Sequence, residues 1–140
     1  MVKVNDRSSK EMIVITKAKD LMKHCFVMTA NTNRFPKRYR FSICSRIENL
    51  SVDIYQNLIR ANECNISDDA QKRMREELQT NAIVSCKLLN GLIDLAYSLP
   101  ATNLQPNSVA YWGELVVEVK RMTVAWRRSE CHADPKDRPR

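Results

Sequence analysis

Four separate stretches of the chain repeat apolar residues at steps of three and four. This spacing places the side chains on one face of an α-helix, whereas a half-buried β-strand would alternate at every second residue. The four seams are Val14, Ala18, Leu21, Cys25 and Met28; Ile43, Ile47, Leu50, Ile54 and Leu58; Leu78, Ala82, Cys86, Leu89, Ile93 and Ala96; and Trp112, Leu115, Val119, Met122 and Trp126. The sequence therefore predicts an all-α protein with four amphipathic helices.

Polar residues and prolines mark the expected ends of these helices. The first helix is expected over residues 9–30, because Ser8 and Glu11 have the spacing of a capping box. The second is expected to begin just after Pro36, whose fixed φ suits a first helical turn. Ser67 is expected to cap the third helix.

Long helices joined by short connections favour an up-down-up-down antiparallel four-helix bundle. We expect residues 1–130 to form this bundle as one domain, followed by a disordered basic tail over the polar, proline-containing residues 131–140. The chain has only two glycines, which are too few for the turns of an all-β protein or for a glycine-rich phosphate loop.

The sequence also bears on the compartment. No apolar run approaches the roughly 20 residues of a membrane span, and the polar residues 1–10 lack a signal-peptide pattern. The five cysteines, an odd number without a CxxC pair, are typical of reduced thiols, several of them buried as small hydrophobes. We expect a cytoplasmic protein with no membrane partner.

Residues that build metal or catalytic sites are sparse. The two histidines, His24 and His132, have no glutamate three residues before them, as the di-iron sites of helical bundles require. Their pairing with Cys25 and Cys131 is unfavourable for a metal, because adjacent helical residues point about 100° apart. No motif places a base beside a cysteine or serine nucleophile. We expect no enzyme activity, no metal and no other cofactor.

Positive charge is concentrated in residues 34–46, which hold five basic residues and no acidic one. The basic residues are Arg34, Lys37, Arg38, Arg40 and Arg46, interleaved with Phe35, Tyr39 and Phe41. Arginine forks bind phosphate and aromatic rings stack on bases, which favours a site for nucleic acid or a polymerase. Alternatively, the aromatic rings pack into the end of the bundle and the charged groups are simply exposed to solvent. The two interpretations are compatible if the rings point inward and the charged groups outward. A second candidate group on the fourth helix comprises Arg121, Arg127 and Arg128.

The helices carry more apolar residues than a single seam each requires. The surplus residues are Tyr55, Ile59, Leu88, Leu92, Val116, Val117 and Trp126. Either a subunit interface or a wide core would account for them.

The nine residues 35–43, at the entry to the second helix, resemble the signature of a known superfamily of small basic bundles. Phe35, Pro36, Lys37 and Arg40 match that motif best, and the leucine-rich pattern of residues 88–96 fits the third helix of the same group. The superfamily contains the accessory variability determinants of diversity-generating retroelements and the proteins encoded in intervening sequences of bacterial large-subunit rRNA genes. The resemblance in helix layout extends over most of residues 9–130.

This resemblance implies a homopentameric barrel with a positively charged surface and no catalytic site. In the retroelement branch, the implied partners are a reverse transcriptase and template RNA or DNA, and the implied role is support of mutagenic cDNA synthesis. The alternative is a stand-alone bundle of the rRNA intervening-sequence type, which binds RNA without a polymerase partner.

Overall fold

The computed structural model describes the backbone of residues 2–131 and the side chains of residues 13–130. Within that backbone there are four α-helices and no strand, which confirms the predicted all-helical fold. The helices are α1 (Val2–Ala30), α2 (Ser45–Glu63), α3 (Asp69–Ser98) and α4 (Pro106–Cys131). Cys131 is the last residue of α4, and the rest of the predicted tail, together with His132, lies outside the described residues.

The buried face of α1 is the predicted one, since every member of its seam from Val14 to Met28 is buried. The predicted start of this helix is wrong, because α1 begins at Val2 and Ser8 lies inside it. A serine and a glutamate three residues apart also share one face of a helix interior, so their spacing does not by itself mark a helix start.

The chain enters α2 through two irregular turns instead of the continuous helix expected after Pro36. A 3₁₀ turn, Lys37–Tyr39, is followed by a π turn, Arg40–Cys44. In the π turn the backbone N–H of Ser45 donates to the Arg40 carbonyl, five residues back. The Ser45 hydroxyl donates to the same carbonyl at 2.9 Å, which stabilises the widened turn.

The cap of α3 lies one residue later than predicted. Asp68 is the N-cap, and its carboxylate accepts a hydrogen bond from the Gln71 backbone N–H at 3.1 Å. The Ser67 hydroxyl instead donates to the Asn65 side chain at 2.7 Å, within the preceding turn. An aspartate at this position also interacts favourably with the helix dipole.

The core lies between the four helices, with the main contacts running α1 to α2, α2 to α3, α3 to α4 and α4 to α1. The side chain of Trp112 on α4 is fully buried, and its Nε1–H donates to the Cys25 thiol of α1 at 3.3 Å. The predicted seam of α4 is partly wrong. Val116 and Thr123 are fully buried, whereas Leu115, Met122 and Trp126 are only partly buried at the edge of the core.

A polar network replaces the apolar seam in the first third of α3. The sequence predicts that Leu78 is a buried seam residue there, but its side chain is only partly buried. Arg75 and Gln79 are buried there instead. Arg75 forms a two-pronged ion pair with Glu130 of α4, and Gln79 donates to the same carboxylate at 3.0 Å. The Arg75 guanidinium also stacks 4.8 Å from the centre of the Trp126 ring, so the end of α4 is fixed to the start of α3.

No helix among the described residues is both long enough and apolar enough to span a bilayer.

Candidate nucleic-acid interface

Phe35 anchors the basic segment to the core. Its ring is 2% exposed and meets the Trp112 ring edge-on, with centroids 6.3 Å apart and planes at 90°. The backbone N–H of Phe35 donates to the Asn31 carbonyl at 3.0 Å, and the Arg34 carbonyl accepts from the Asn103 N–H at 2.9 Å. The prediction that Phe35 is an inward-pointing plug is confirmed.

Most of the predicted basic residues of this segment face solvent. Lys37, Arg38, Arg40 and Arg46 are exposed, whereas Arg34 is half-buried. The guanidinium of Arg38 lies 5.4 Å from the centre of the Tyr39 ring, a cation–π distance that restrains its head group. Because Phe35 fixes the backbone, these charges project from an ordered base rather than from a loose loop.

Phe41 does not follow the alternative in which all the aromatic residues of this segment point inward. Its side chain is 83% exposed, while Tyr39 is partly buried against the core. An exposed phenylalanine beside arginines offers a flat apolar surface on which a base can stack. The sequence pattern does not separate Phe35 from Phe41, because the intervening 3₁₀ and π turns break the helical period.

The two irregular turns border a cavity of about 360 Å³ against the end of α1. The residues that line it include Lys37, Arg40, Phe41 and Glu48. Glu48 accepts a hydrogen bond from the Thr29 hydroxyl at 2.6 Å, which holds one of its oxygens against α1. Sequence reasoning missed Glu48, because it lies beyond the basic cluster in the regular part of α2.

The residues that line this cavity suit a ligand that carries both a phosphate and an apolar ring. Arg40 offers a planar fork of donors and Lys37 a point charge, the two ways in which proteins bind phosphate. Glu48 carries the opposite charge, so it disfavours a second phosphate beside it and favours a hydrogen-bond donor there. One strand of nucleic acid presents both phosphates and bases to such a surface.

The second predicted basic group lies elsewhere on the molecule. Arg121 and Arg128 are exposed on α4, and Arg127 is half-buried in a groove that also contains Arg73, Glu76 and Glu77 of α3. Arg127 is 15 residues beyond Trp112 in sequence, about 22 Å along the helix. The structure therefore does not bring the two basic groups into one site, and the acidic residues of α3 weaken the field of the second.

The thiols and the histidine are poorly placed for chemistry. Cys25, Cys44 and Cys86 are buried and free of disulfides, and burial raises the pKa of all three, to about 11 for Cys25 and about 12 for Cys86. His24 packs edge-on against Tyr111 and Trp112, and burial followed by the charge of Arg34 lowers its pKa. Among the described side chains, no group of three or more histidines, cysteines and carboxylates is arranged to hold a metal.

Comparisons of this chain with protein-family models, with curated proteins and with solved structures give no match. Support for a function comes from the geometry above and from the resemblance at residues 35–43.

Proposed function

We propose that this chain is a non-enzymatic accessory subunit of a diversity-generating retroelement. In this proposal it is a cytoplasmic, antiparallel four-helix bundle that assembles as a homopentamer. It binds the reverse transcriptase and the template RNA or DNA, and so supports mutagenic cDNA synthesis. The observation that carries the proposal is the exposed basic segment at the entry to α2, fixed in place by the buried ring of Phe35.

A fixed basic segment supports binding of a polyanion. Phosphate contacts supply most of the affinity for nucleic acid, and they are strongest where the charged groups need little ordering before they bind. Lys37 and Arg40 share one cavity with Phe41, so a phosphate and a neighbouring base can be contacted together.

Assembly as a ring multiplies this modest cluster. Every subunit of a homopentamer would present its own copy of the basic segment, and linked sites bind a long polyanion far more tightly than one site does. The five copies of the basic segment would also be complementary to an acidic surface on a polymerase.

The state of the thiols supports a binding role over catalysis. Only the thiolate is an effective nucleophile. Burial raises the pKa of Cys25, Cys44 and Cys86, which disfavours the thiolate form of each. Free thiols are also typical of a reducing compartment.

The proposal is tested by binding of a labelled single-stranded RNA across a salt titration, followed by fluorescence anisotropy. Lys37, Arg38 and Arg40 are changed together to alanine. Each lost phosphate contact lowers the slope of log affinity against log salt by about 0.7 for a single strand. Loss of all three contacts therefore predicts a slope lower by about 2 per bound chain.

The matched control changes Lys19, Lys23 and Arg60 to alanine, which removes the same charge from exposed positions on α1 and α2. Equal slopes for the two triple variants would overturn the assignment of the site and direct attention to Arg121, Arg127 and Arg128. Co-purification with a retroelement reverse transcriptase separates the two branches of the superfamily. RNA binding without any polymerase complex would favour the intervening-sequence alternative.

A further inference from the structure

The outward face of α3 carries an apolar stripe that the described side chains leave uncovered. Val84, Leu88 and Leu95 are 47%, 55% and 47% exposed. Their spacing, with Gly91 between Leu88 and Leu95, places all four residues on one side of the helix. This side points away from the core positions Cys86, Leu89 and Ile93 of the same helix.

Neither packing nor backbone conformation within the described residues calls for a glycine at position 91. A Cβ added there meets nothing within 4 Å, and no glycine of the described backbone has a positive φ. A glycine in the middle of a helix is destabilising relative to alanine, because it loses more conformational freedom on folding. What glycine does provide on an exposed helix face is room for another backbone to approach closely.

We propose that a second copy of this chain docks on the stripe, with the two α3 helices antiparallel and a two-fold axis beside Gly91. An antiparallel pair centred at this residue brings Leu88 of each chain against Leu95 of the other. Gly91 meets its own counterpart at the centre, where the two helices cross.

Charge identifies the occupant as a copy of the same chain. Lys87 and Asp94 are exposed on the same side of the stripe, and neither forms an ion pair within the described part of the chain. They lie four residues before Gly91 and three residues after it. The two-fold axis therefore places Lys87 of each chain opposite Asp94 of the other, so that two identical ion pairs form. A parallel two-fold arrangement would instead place these charges of the two chains on opposite edges of the contact, where no such ion pair forms.

This contact goes beyond the proposed function and is independent of it. The interfaces of a five-membered ring are head-to-tail, whereas the α3 contact is self-complementary. Without a ring the contact produces a dimer, and with a ring it joins two rings face to face.

The test is the mass of the full chain by light scattering and its self-association by sedimentation, for variants of the two charges. Lys87→Glu alone and Asp94→Lys alone each turn both ion pairs into repulsive pairs, and we expect each to weaken the α3 association about tenfold. The double variant Lys87→Glu with Asp94→Lys restores opposite charges, so it is expected to associate like the unmodified chain.

Gly91→Leu gives a second, steric test. The added side chain enters open space in the single chain, so at concentrations where the unmodified chain is dissociated the melting temperature is expected not to fall, while the α3 association at higher concentration is lost. A monomer at every concentration, or a mass of five chains only, would overturn the contact; the second result would leave the homopentamer intact. Failure of the double charge variant to restore association would overturn it as well.

Discussion

The guanidinium of Arg75 and the carboxylate of Glu130 meet in a two-pronged ion pair, with Nη2 and Oε2 2.8 Å apart and Nε and Oε1 3.0 Å apart. Both side chains are nearly buried, at 6% and 10% exposure. The pair joins α3 to α4 across 55 positions of sequence, and Arg75 also donates to the carbonyl of Cys64 at 3.1 Å. One arginine thus connects the end of α2, the start of α3 and the end of α4.

Removal of the Glu130 carboxylate is expected to be strongly destabilising. Glu130→Ala removes the two-pronged ion pair that the buried Arg75 makes with α4, and breaking a buried pair in this way costs about 3 kcal/mol. Urea unfolding followed by circular dichroism measures the loss. The control is Glu118→Ala, which breaks an exposed pair with Lys17 at 3.3 Å and is expected to cost less than about 1 kcal/mol. Similar losses for the two variants would contradict the importance of burial.

Phe35→Ala is expected to lower the free energy of unfolding by about 3 to 5 kcal/mol, because it leaves a cavity beside Trp112. Thermal and urea unfolding measure this loss. Phe41→Ala is the natural comparison, since the ring is exposed and its removal is expected to change stability by less than about 0.5 kcal/mol. The same variant is expected to weaken RNA binding. A large loss of stability in Phe41→Ala would mean that its ring is covered in solution.

Stability is expected to fall as the pH drops through 6.5 and below, because of His24. Burial and then Arg34 lower its pKa in the folded chain below the ordinary 6.5, so the unfolded chain binds the proton more readily. The contribution of His24 is therefore fully present above pH 6.5 and is lost as the pH falls through the unfolded and then the folded pKa. Urea unfolding at a series of pH values measures the effect. His24→Gln should flatten the profile in this range, and an unchanged slope would assign the dependence to other groups.

Cys86→Ser is expected to cost about 1 to 3 kcal/mol, because it places a hydroxyl in the apolar centre of the bundle. Cys64→Ser provides the comparison, since Cys64 is half-buried at the end of α2 and the change there should stay within about 0.5 kcal/mol. Chemical denaturation in reducing buffer gives both values. If reduction itself unfolds the unmodified chain, the assignment of these thiols as free is wrong.

The helical period predicts the buried face of a helix well where polar residues separate apolar residues that are three and four positions apart. In α1 polar residues surround Ala18 and Leu21 in the middle of the seam, which fixes the register, and all five members from Val14 to Met28 are buried. In α4 the run from Leu115 to Val117 is apolar without interruption, so the period does not decide which residue faces the core. The core takes Val116 and also Thr123, whose hydroxyl donates to the Val119 carbonyl at 2.8 Å and so is satisfied within its own helix.

Two other features depend on contacts that no local pattern contains. The sequence alone gives no sign that Arg75 is buried, since its partners, among them Glu130 on α4 and the Cys64 carbonyl, are distant in sequence. The cavity at the entry to α2 likewise depends on the end of α1, which contributes Thr29 and positions Glu48. The basic residues of the candidate site can be identified from the sequence, but the cavity that they line cannot.

The π turn at Arg40–Cys44 separates two requirements on this part of the chain. It holds one residue more than an α-helical turn. Compared with a continuous α-helix, that residue shifts by about 100° the direction in which each earlier residue points. The basic residues before the turn are therefore released from the register of α2, while every core contact of α2 from Ile47 onward is kept.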